Sequence, residues 1–419
     1  MNILMVNKFL YPRGGAETYM LQIGEYLTQQ GHSVEYFGMT DQRNTVGNQV
    51  GLYTYNMDFH SRSAARLCYP FKIIYSREAY RKLGQVIDRS RPDVIHMHNI
   101  NFQLTPAVID AAWAKGVPVV QTVHDYQMVC PNHLLYNLRE EGVCQRCVTG
   151  SKWNCAKYGC IHNSRIKSIL GSLEAIVYQK RETYRRVARY ICPSRFLAEK
   201  LNLGSSVFAG KTEVIHNYIE LPPTETGPYV SREKAVLFAG RLSLEKGIGI
   251  LAGAARLLPE IQFLAAGAGP AAGLLSGIPN VRVLGFLDQY ALKKLMGQVA
   301  AVLVPSIWYE NCPLTILEAQ AAGTPVITAN RGGMAELVEH GKTGILVDQT
   351  DAAGFAAEIR RLMGDPKSLA AISENCMRER EKMVTLPAYC RRLMGIYQRA
   401  SEGRTGHHAA ESQYHRTGV

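Results

Sequence analysis

Two carboxylates separated by seven residues, Glu310 and Glu318, stand in the segment Val304-Pro305-Ser306-Ile307-Trp308-Tyr309-Glu310-Asn311-Cys312-Pro313-Leu314-Thr315-Ile316-Leu317-Glu318. The apolar run ending at Val304 predicts a strand. Pro313 marks a helix start, because its missing N–H costs nothing at the first helical position. Glu310 is therefore expected on a loop and Glu318 on a helix. An ionised carboxylate accepts two donors at once, so this pair can grip sugar hydroxyls. The free N–H groups at the helix start suit an anionic or hydroxyl-rich ligand. The plainer alternative makes Glu310 a helix cap and Glu318 a surface residue.

A second element, Phe238-Ala239-Gly240-Arg241-Leu242-Ser243-Leu244-Glu245-Lys246-Gly247, brings Gly240 and Arg241 to the carboxyl end of a predicted strand, with Lys246 one short loop later. Open α/β sheets bind ligands at that edge, and two cations there can neutralise a diphosphate leaving group. Gly267-Ala268-Gly269 also follows a strand and is read as a tight turn. In the first half, Arg13-Gly14-Gly15-Ala16 opens a helix after the first strand, where glycine lets a ligand approach the backbone. His124 in Thr122-Val123-His124-Asp125 and His98 in His96-Met97-His98 fall at the ends of two further strands. An imidazole so placed can donate to a hydroxyl or stabilise developing charge, or it can be a satisfied core histidine.

Cysteines crowd one stretch: Cys130, Cys144, Cys147, Cys155 and Cys160, with His162 two residues on. A Cys-x2-Cys knuckle with further thiols nearby suits a tetrahedral structural zinc, for which Cys130, Cys144, Cys147 and Cys160 are the chosen set and Cys155 the substitute. Free or redox-active thiols are the other reading.

Glu310 to Glu318, with the downstream Ala321-Ala322-Gly323-Thr324-Pro325-Val326-Ile327, closely resembles family 4 of the glycosyltransferases with the GT-B fold. The resemblance implies an α/β chain of two facing Rossmann-like domains. It implies transfer of a sugar from a nucleotide-sugar donor, a UDP- or GDP-sugar, with retention of anomeric configuration. Glu310 would contact the donor sugar and Glu318 the ribose. Arg241 and Lys246 would bind the pyrophosphate in the place of a metal, so no cofactor is expected for catalysis. His124 would line the donor-sugar pocket. Gly14, Gly15, Gly240, Asn311, Pro313 and Leu314 would complete the donor side, and His98 would serve the acceptor. The acceptor is expected to be a glycan or lipid-linked glycan in cell-surface polysaccharide synthesis. The cysteine-bearing insert is similar to one carried by certain bacterial members. Asn311-Cys312-Pro313 replaces a frequent Gly-x-Gly, and Asn217-Tyr218 a commoner Asn-Gly, in the segment read as hinge and cleft wall.

These residues must be held by short apolar runs that alternate with helical stretches: Ile3–Val6, Val34–Phe37, Val94–Met97 and Val119–Val123, then Val236–Ala239, Gln262–Ala265, Val281–Leu284, Ala301–Val304 and Val326–Ala329. Continuous apolar strands are those covered by helices on both faces, which predicts two doubly wound α/β units. The first helix is expected from Ala16 to Gln29, closed by Gly31. The predicted layout is a first domain over 1–220 with a cysteine-rich insert near 130–162, a linker over 221–232 and a donor domain over 233–385. A helix over 386–400 would pack back on the first domain, ahead of a disordered tail over 401–419.

The 419 residues are 47% hydrophobic and carry a net charge of +12, which excludes a disordered or fibrous chain and favours an anionic partner. Residues 1–200 hold most of that surplus. The stretch from Ser164 to Arg189 reads as one long helix, with Ile166, Leu170, Leu173, Ile176 and Val177 on one side and Lys180, Arg181, Arg185, Arg186 and Arg189 clustered late. It fits either an anionic membrane surface or a domain helix with a solvated basic face. No run approaches the roughly 18 apolar residues of a membrane span, and the first run is too short for a signal-peptide core. The chain is accordingly expected in the cytoplasm, with peripheral attachment at the inner membrane face. Nucleic acid is not an expected partner of such a transferase. The competing classes are a zinc-knuckle nucleic-acid-binding module and a GT-B-like nucleotide-sugar epimerase or hydrolase.

Overall fold

The computed structural model describes residues 1–56, 73–221 and 232–414, with side chains as far as 402. Each apolar run named above forms a strand, and the strands assemble into two parallel sheets in two separate compact units. The first unit comprises Met1–Pro193, Leu197–Ile215 and Leu386–Val419, and the second Ser194–Phe196 and His216–Thr385.

In the first unit, chain order gives β1 (Asn2–Val6), β2 (Ser33–Phe37), β3 (Val94–Met97), β4 (Val119–Thr122), the small hairpin β5 (Tyr136–Asn137) and β6 (Gly142–Val143), then β7 (Arg189–Cys192) and β8 (Thr212–Val214). The sheet runs β2-β1-β3-β4-β7-β8, with Val6 opposite both Phe37 and Met97. Because β1 has its successors on either side, the loops after β1 and β3 part at their carboxyl ends and leave a crevice. The helix Gly15–Gln29 follows β1 at that edge, and Gly31, at φ 84°, turns the chain toward β2.

The second unit repeats the plan with β9 (Glu233–Ala239), β10 (Gln262–Ala266), β11 (Val281–Gly285), β12 (Val299–Val304), β13 (Val326–Ala329) and β14 (Gly344–Val347), ordered β11-β10-β9-β12-β13-β14. Here the order reverses beside β9, so the crevice opens between the ends of β9 and β12. Ala235 to Leu237 of β9 and Val299, Ala301, Val302 and Leu303 of β12 are fully buried, which is why the sequence shows runs instead of alternation.

The structure corrects several expectations. The helix expected from Ser164 to Arg189 spans only Arg165–Lys180. Glu182, at φ 47°, breaks it, a 3-10 turn covers Thr183–Arg186, and Arg189 begins β7. The late basic cluster is largely spent in ion pairs: Arg181 and Arg186 hold the buried Asp110, Arg185 holds Glu182, and Arg189 lies near Glu213. The expected tail over 401–419 is helical through Tyr414, continuing the helix that starts at Leu386. A helix already nucleated and packed extends at little cost through Ala, Glu and Gln, despite Gly403 and Gly406. The chain passes from the first unit to the second after Ile215, ahead of the boundary expected at 220. Most of the expected linker, 222–231, lies outside the described residues.

Candidate active site

In the second unit, the loops after β9, β10, β12 and β13 gather at the carboxyl edge of the sheet. Gly240 follows β9 at φ 153°, a backbone that favours glycine, and a Cβ on Gly267 would lie 1.9 Å from the Gly240 carbonyl oxygen. Glycine at 267 thus permits the loops after β10 and β9 to touch. Lys246 Nζ donates to Glu310 Oε1 at 2.6 Å, and the Ser306 hydroxyl and Trp308 Nε1 donate to the same oxygen at 2.8 and 2.9 Å. Burial pushes the Glu310 carboxyl up, but Lys246 and these donors outweigh it and hold it below the ordinary carboxylate value. Arg241 is more exposed and bonds Glu245 Oε1 at 3.0 Å, while Ser243 donates to that oxygen at 2.7 Å.

Glu318 lies on the helix Leu314–Ala321, half-buried, with its carboxyl pushed up by burial and partly brought down by Lys293 and Gln289. Pro313 is the residue capping that helix, one position before its first turn, and Leu314 begins it. The Gly333 N–H donates to the Glu310 carbonyl at 2.8 Å, and Arg331 Nη1 donates to the Ile307 carbonyl at 2.5 Å. A Cβ on Gly333 would stand 1.5 Å from the Asn311 carbonyl oxygen, so the loop after β13 clasps the Glu310–Asn311 loop. Asn217 donates from its backbone to Cys312 Sγ and from its side chain to the Cys312 carbonyl. The structure therefore brings Lys246 and Glu310 together, with Gly240 set against Gly267 at the same edge of the sheet. It places Arg241 one loop turn away and sets Glu318 beside Lys293.

In the first unit, Gly14 and Gly15 open the helix Gly15–Gln29 with no side-chain cap, and a Cβ on Gly15 would meet nothing within 4 Å. His98 Nδ1 and His124 Nε2 share a hydrogen bond at 3.0 Å, with the rings stacked at 5.3 Å. His96 packs on His98 and is held by Thr122 at 2.8 Å and by the Tyr397 hydroxyl at 2.6 Å. Burial lowers all three imidazoles, His124 to about 4 and His96 to about 3, so they are neutral at pH 7. A neutral His124 can donate or accept a hydrogen bond, but it brings no positive charge to a ligand.

All five clustered cysteines line one small cavity with Asn132 and Tyr136, and all are free thiols. Among the described residues, no three His, Cys, Asp or Glu side chains stand at metal-ligand spacing. Sequence reasoning missed the partners that set these groups: Ser306, Trp308 and Glu245, the Gly332-Gly333 turn, Lys293, and Tyr397 on a helix far along the chain. The Gly-Gly pair after the β13 run was the one readable signal among them.

The Glycosyltransferase Family 4 model matches residues 13–221 and the model of Glycosyl transferases group 1 matches 227–378. An uncharacterized 42.6 kDa protein in the cps region of Klebsiella pneumoniae is 25% identical over 80% of this chain and 87% of its own. The 2-deoxystreptamine N-acetyl-D-glucosaminyltransferase of Niallia circulans is 27% identical over 65% of this chain and 67% of its own. Among solved structures, sucrose-phosphate synthase from Thermosynechococcus elongatus superposes with a TM-score of 0.68 at 20% identity, covering 95% of this chain and 98% of that one. Anabaena Alr3699/HepE in complex with UDP gives 0.64 at 19%, covering 97% and 100%. With two parallel-sheet Rossmann-like units and both family models matched in register with them, the chain belongs to the family 4 glycosyltransferases of the GT-B fold.

Proposed function

We propose that this glycosyltransferase is a retaining enzyme that moves a sugar from a UDP-sugar to a lipid-linked glycan at the inner membrane face, in the synthesis of a surface polysaccharide. The observation that carries the reading is the joining of Lys246 and Glu310 at the crevice beside β9. Lys246 and Arg241 would take the diphosphate, Glu310 the donor sugar and Glu318 the ribose. Preorganised charge at the leaving group does the work of catalysis and requires no added divalent ion. No Ser, Cys or carboxylate of the motifs stands out as a nucleophile, which favours departure and attack on one face of the sugar within an ion pair. The acceptor belongs to the first unit, with neutral His98 and His124 toward its hydroxyl.

UDP is favoured because Alr3699/HepE was solved with UDP and with UDP-glucose. The polysaccharide role draws on the cps-region relative. The membrane surface draws on the helix Arg165–Lys180, which is amphipathic the wrong way round for a soluble domain. Its Ser168, Gly171, Ser172, Glu174 and Tyr178 face inward, while Ile166, Ile169 and Leu173 are 73%, 39% and 37% exposed. The inward face is fastened by hydrogen bonds, with Ser172 accepting from Ala156 N and Ser168 from Ile161 N. The outward stripe, with Arg165 and Lys180 exposed at its ends, matches an anionic bilayer. No helix among the described residues is long and apolar enough to cross a membrane.

The test is thermal stabilisation by UDP-, GDP- and ADP-sugars, followed by NMR of the anomer formed from the stabilising donor, with and without EDTA. Inverted product, hydrolysis with no acceptor transfer, or loss of turnover in EDTA would overturn the corresponding part. Flotation with vesicles containing phosphatidylglycerol should fail for Ile166→Glu/Leu173→Glu, and flotation equal to wild type would remove the membrane surface.

A further inference from the structure

Residues 130–163 form a piece of chain that regular structure does not hold. Its elements are the two-residue strands β5 and β6 and helices of four and five residues, Arg146–Thr149 and Asn154–Tyr158. His133, Leu135, Glu141, His162 and Asn163 all adopt positive φ without being glycine, a backbone that costs free energy and persists only when its surroundings fix it. Small folds with so little regular structure commonly add a cross-link or a metal.

What fills the interior is sulfur. Cys130, Cys147, Cys155 and Cys160 are buried, Cys144 is half-buried, and one cavity is lined by all five. Cys147, Cys155 and Cys160 pack on one another. Beside them Lys152 is only 5% exposed, with Nζ donating to the Val129 and Cys147 carbonyls at 3.0 and 2.5 Å. A buried ammonium with only carbonyl partners is an uncompensated charge, and its cost is relieved if the adjoining sulfurs become anionic.

We propose that this cavity holds one structural zinc ion through Cys144, Cys147, Cys155 and Cys160. Zinc takes four thiolates in a closed tetrahedral shell and suits soft sulfur donors. Binding exchanges four thiol protons for the ion and leaves a net charge of −2 on the cluster, half of which Lys152 balances in place. Cys130 falls outside the set because its thiol donates to Asn132 Oδ1 at 2.9 Å, and that side chain also accepts from Leu134 N and donates to the Tyr136 carbonyl. Cys130 is therefore tied into the loop that carries the hairpin, and Cys155, the least exposed of the five and only the substitute on spacing, takes the place the sequence reading gave to Cys130. As they stand, the thiols line the cavity without converging at ligand spacing, so closing the shell requires them to shift. The ion would set the seat of the helix Arg165–Lys180, since Ser172 Oγ donates to the Lys152 carbonyl at 3.0 Å.

The full chain, purified under reducing conditions without a metal-affinity step, should contain about one equivalent of zinc by elemental mass spectrometry. Alkylation mapped by peptide mass should spare Cys144, Cys147, Cys155 and Cys160 until a chelator is added. Cys130→Ser should retain the metal, while Cys144→Ser and Cys155→Ser should lose it. If those two variants do not fold, replacement of the wild-type ion by Co2+ should give the intense thiolate charge-transfer band of a four-sulfur site. Absence of metal with all five thiols alkylated, iron with acid-labile sulfide, or zinc retained in Cys155→Ser and lost in Cys130→Ser would each overturn the proposal.

Discussion

Replacing Lys246 by Met should damage the second unit in two separable ways. Lys246 Nζ lies 2.6 Å from Glu310 Oε1, and the two side chains are only 29% and 9% exposed. Removing one partner of a fully buried pair costs about 3–5 kcal/mol, because the other charge is left without compensation. Trp308 and Ser306 still donate to the carboxylate and solvent reaches part of Lys246, so about 2 kcal/mol is expected. For a domain of this size that lowers the melting temperature by roughly 4–8 °C. Turnover should fall by about 10²–10³, the usual loss when one preorganised charge contact is removed. Glu310→Gln in the same chain removes the stranded charge, so the double variant should regain most of the melting temperature and none of the rate. The pH dependence follows from the sign of the shift. In the wild type the Glu310 carboxyl lies below its ordinary value of 4.5, so its contribution to stability is complete above that value and is lost as pH falls through the lowered one. Without Lys246, burial prevails and the carboxyl moves up, carrying the acidic limb of the residual activity to higher pH. The measurements are a thermal melt and a kcat/KM profile from pH 4 to 8 for the four proteins of the cycle. Additive effects of the two substitutions, or a Lys246→Met enzyme with wild-type turnover, would refute the argument.

Glu318→Gln should weaken UDP binding by calorimetry and yet raise the melting temperature of the ligand-free protein at pH 7. A carboxyl raised by burial stabilises the fold below its unfolded pKa and loses that advantage as pH climbs through the raised value, a loss glutamine does not suffer. The buried imidazoles act oppositely to Glu318 and in the same direction as Glu310. With His124 held at about 4 and His96 at about 3, stability is complete above about 6.5 and declines as pH falls toward 4, and Tyr397→Phe should alter this slope without changing donor affinity. Gly267→Ala should lower UDP affinity, since its Cβ would press on the Gly240 carbonyl from 1.9 Å; unchanged affinity would mean the loop relaxes at no cost to the site.

The sequence displayed most of the sheet strands in which burial on both faces made a continuous apolar run, as in Val299–Val304, although the short edge run Gly344–Val347 was missed. It concealed Arg189–Cys192 and Thr212–Val214, strands at or next to the far edge of the first sheet, whose residues include Arg189, Thr212 and Glu213. Helical periodicity also misled at residues 164–189. The apolar stripe there is real, but it faces outward, and a pattern cannot report which face a domain chooses when the inner one is built from serine, glycine and hydrogen bonds. Glu310, Lys246 and Arg241 were legible because their chemistry and spacing lie within short stretches. Their supports were not, since Glu310 is set by Trp308 and by Gly333 from a different strand end, and His96 by Tyr397 from a helix three hundred residues away.

The pairing of both cations with carboxylates does not spend them. An ammonium has three donors, and Lys246 gives one to Glu310 Oε1; a guanidinium has five, and one of those on Arg241 reaches Glu245. The carboxylates fix where each charge stands while leaving further donors, which under the proposed function would meet a diphosphate. Glu310 receives its three donors on a single oxygen, so the other is not occupied by them. Ligand binding at such a site extends an existing network instead of breaking one, and little reorganisation accompanies the arrival of charge. At its strand ends the first unit instead holds three imidazoles kept neutral by burial, His98 stacked on His124 and tilted against His96. A neutral imidazole can take or give a proton or hydrogen bond at a hydroxyl without attracting the donor's phosphates. Under the proposed function, this division of charge between the two sheets matches a division of substrates, with the anion on the second unit and the alcohol on the first.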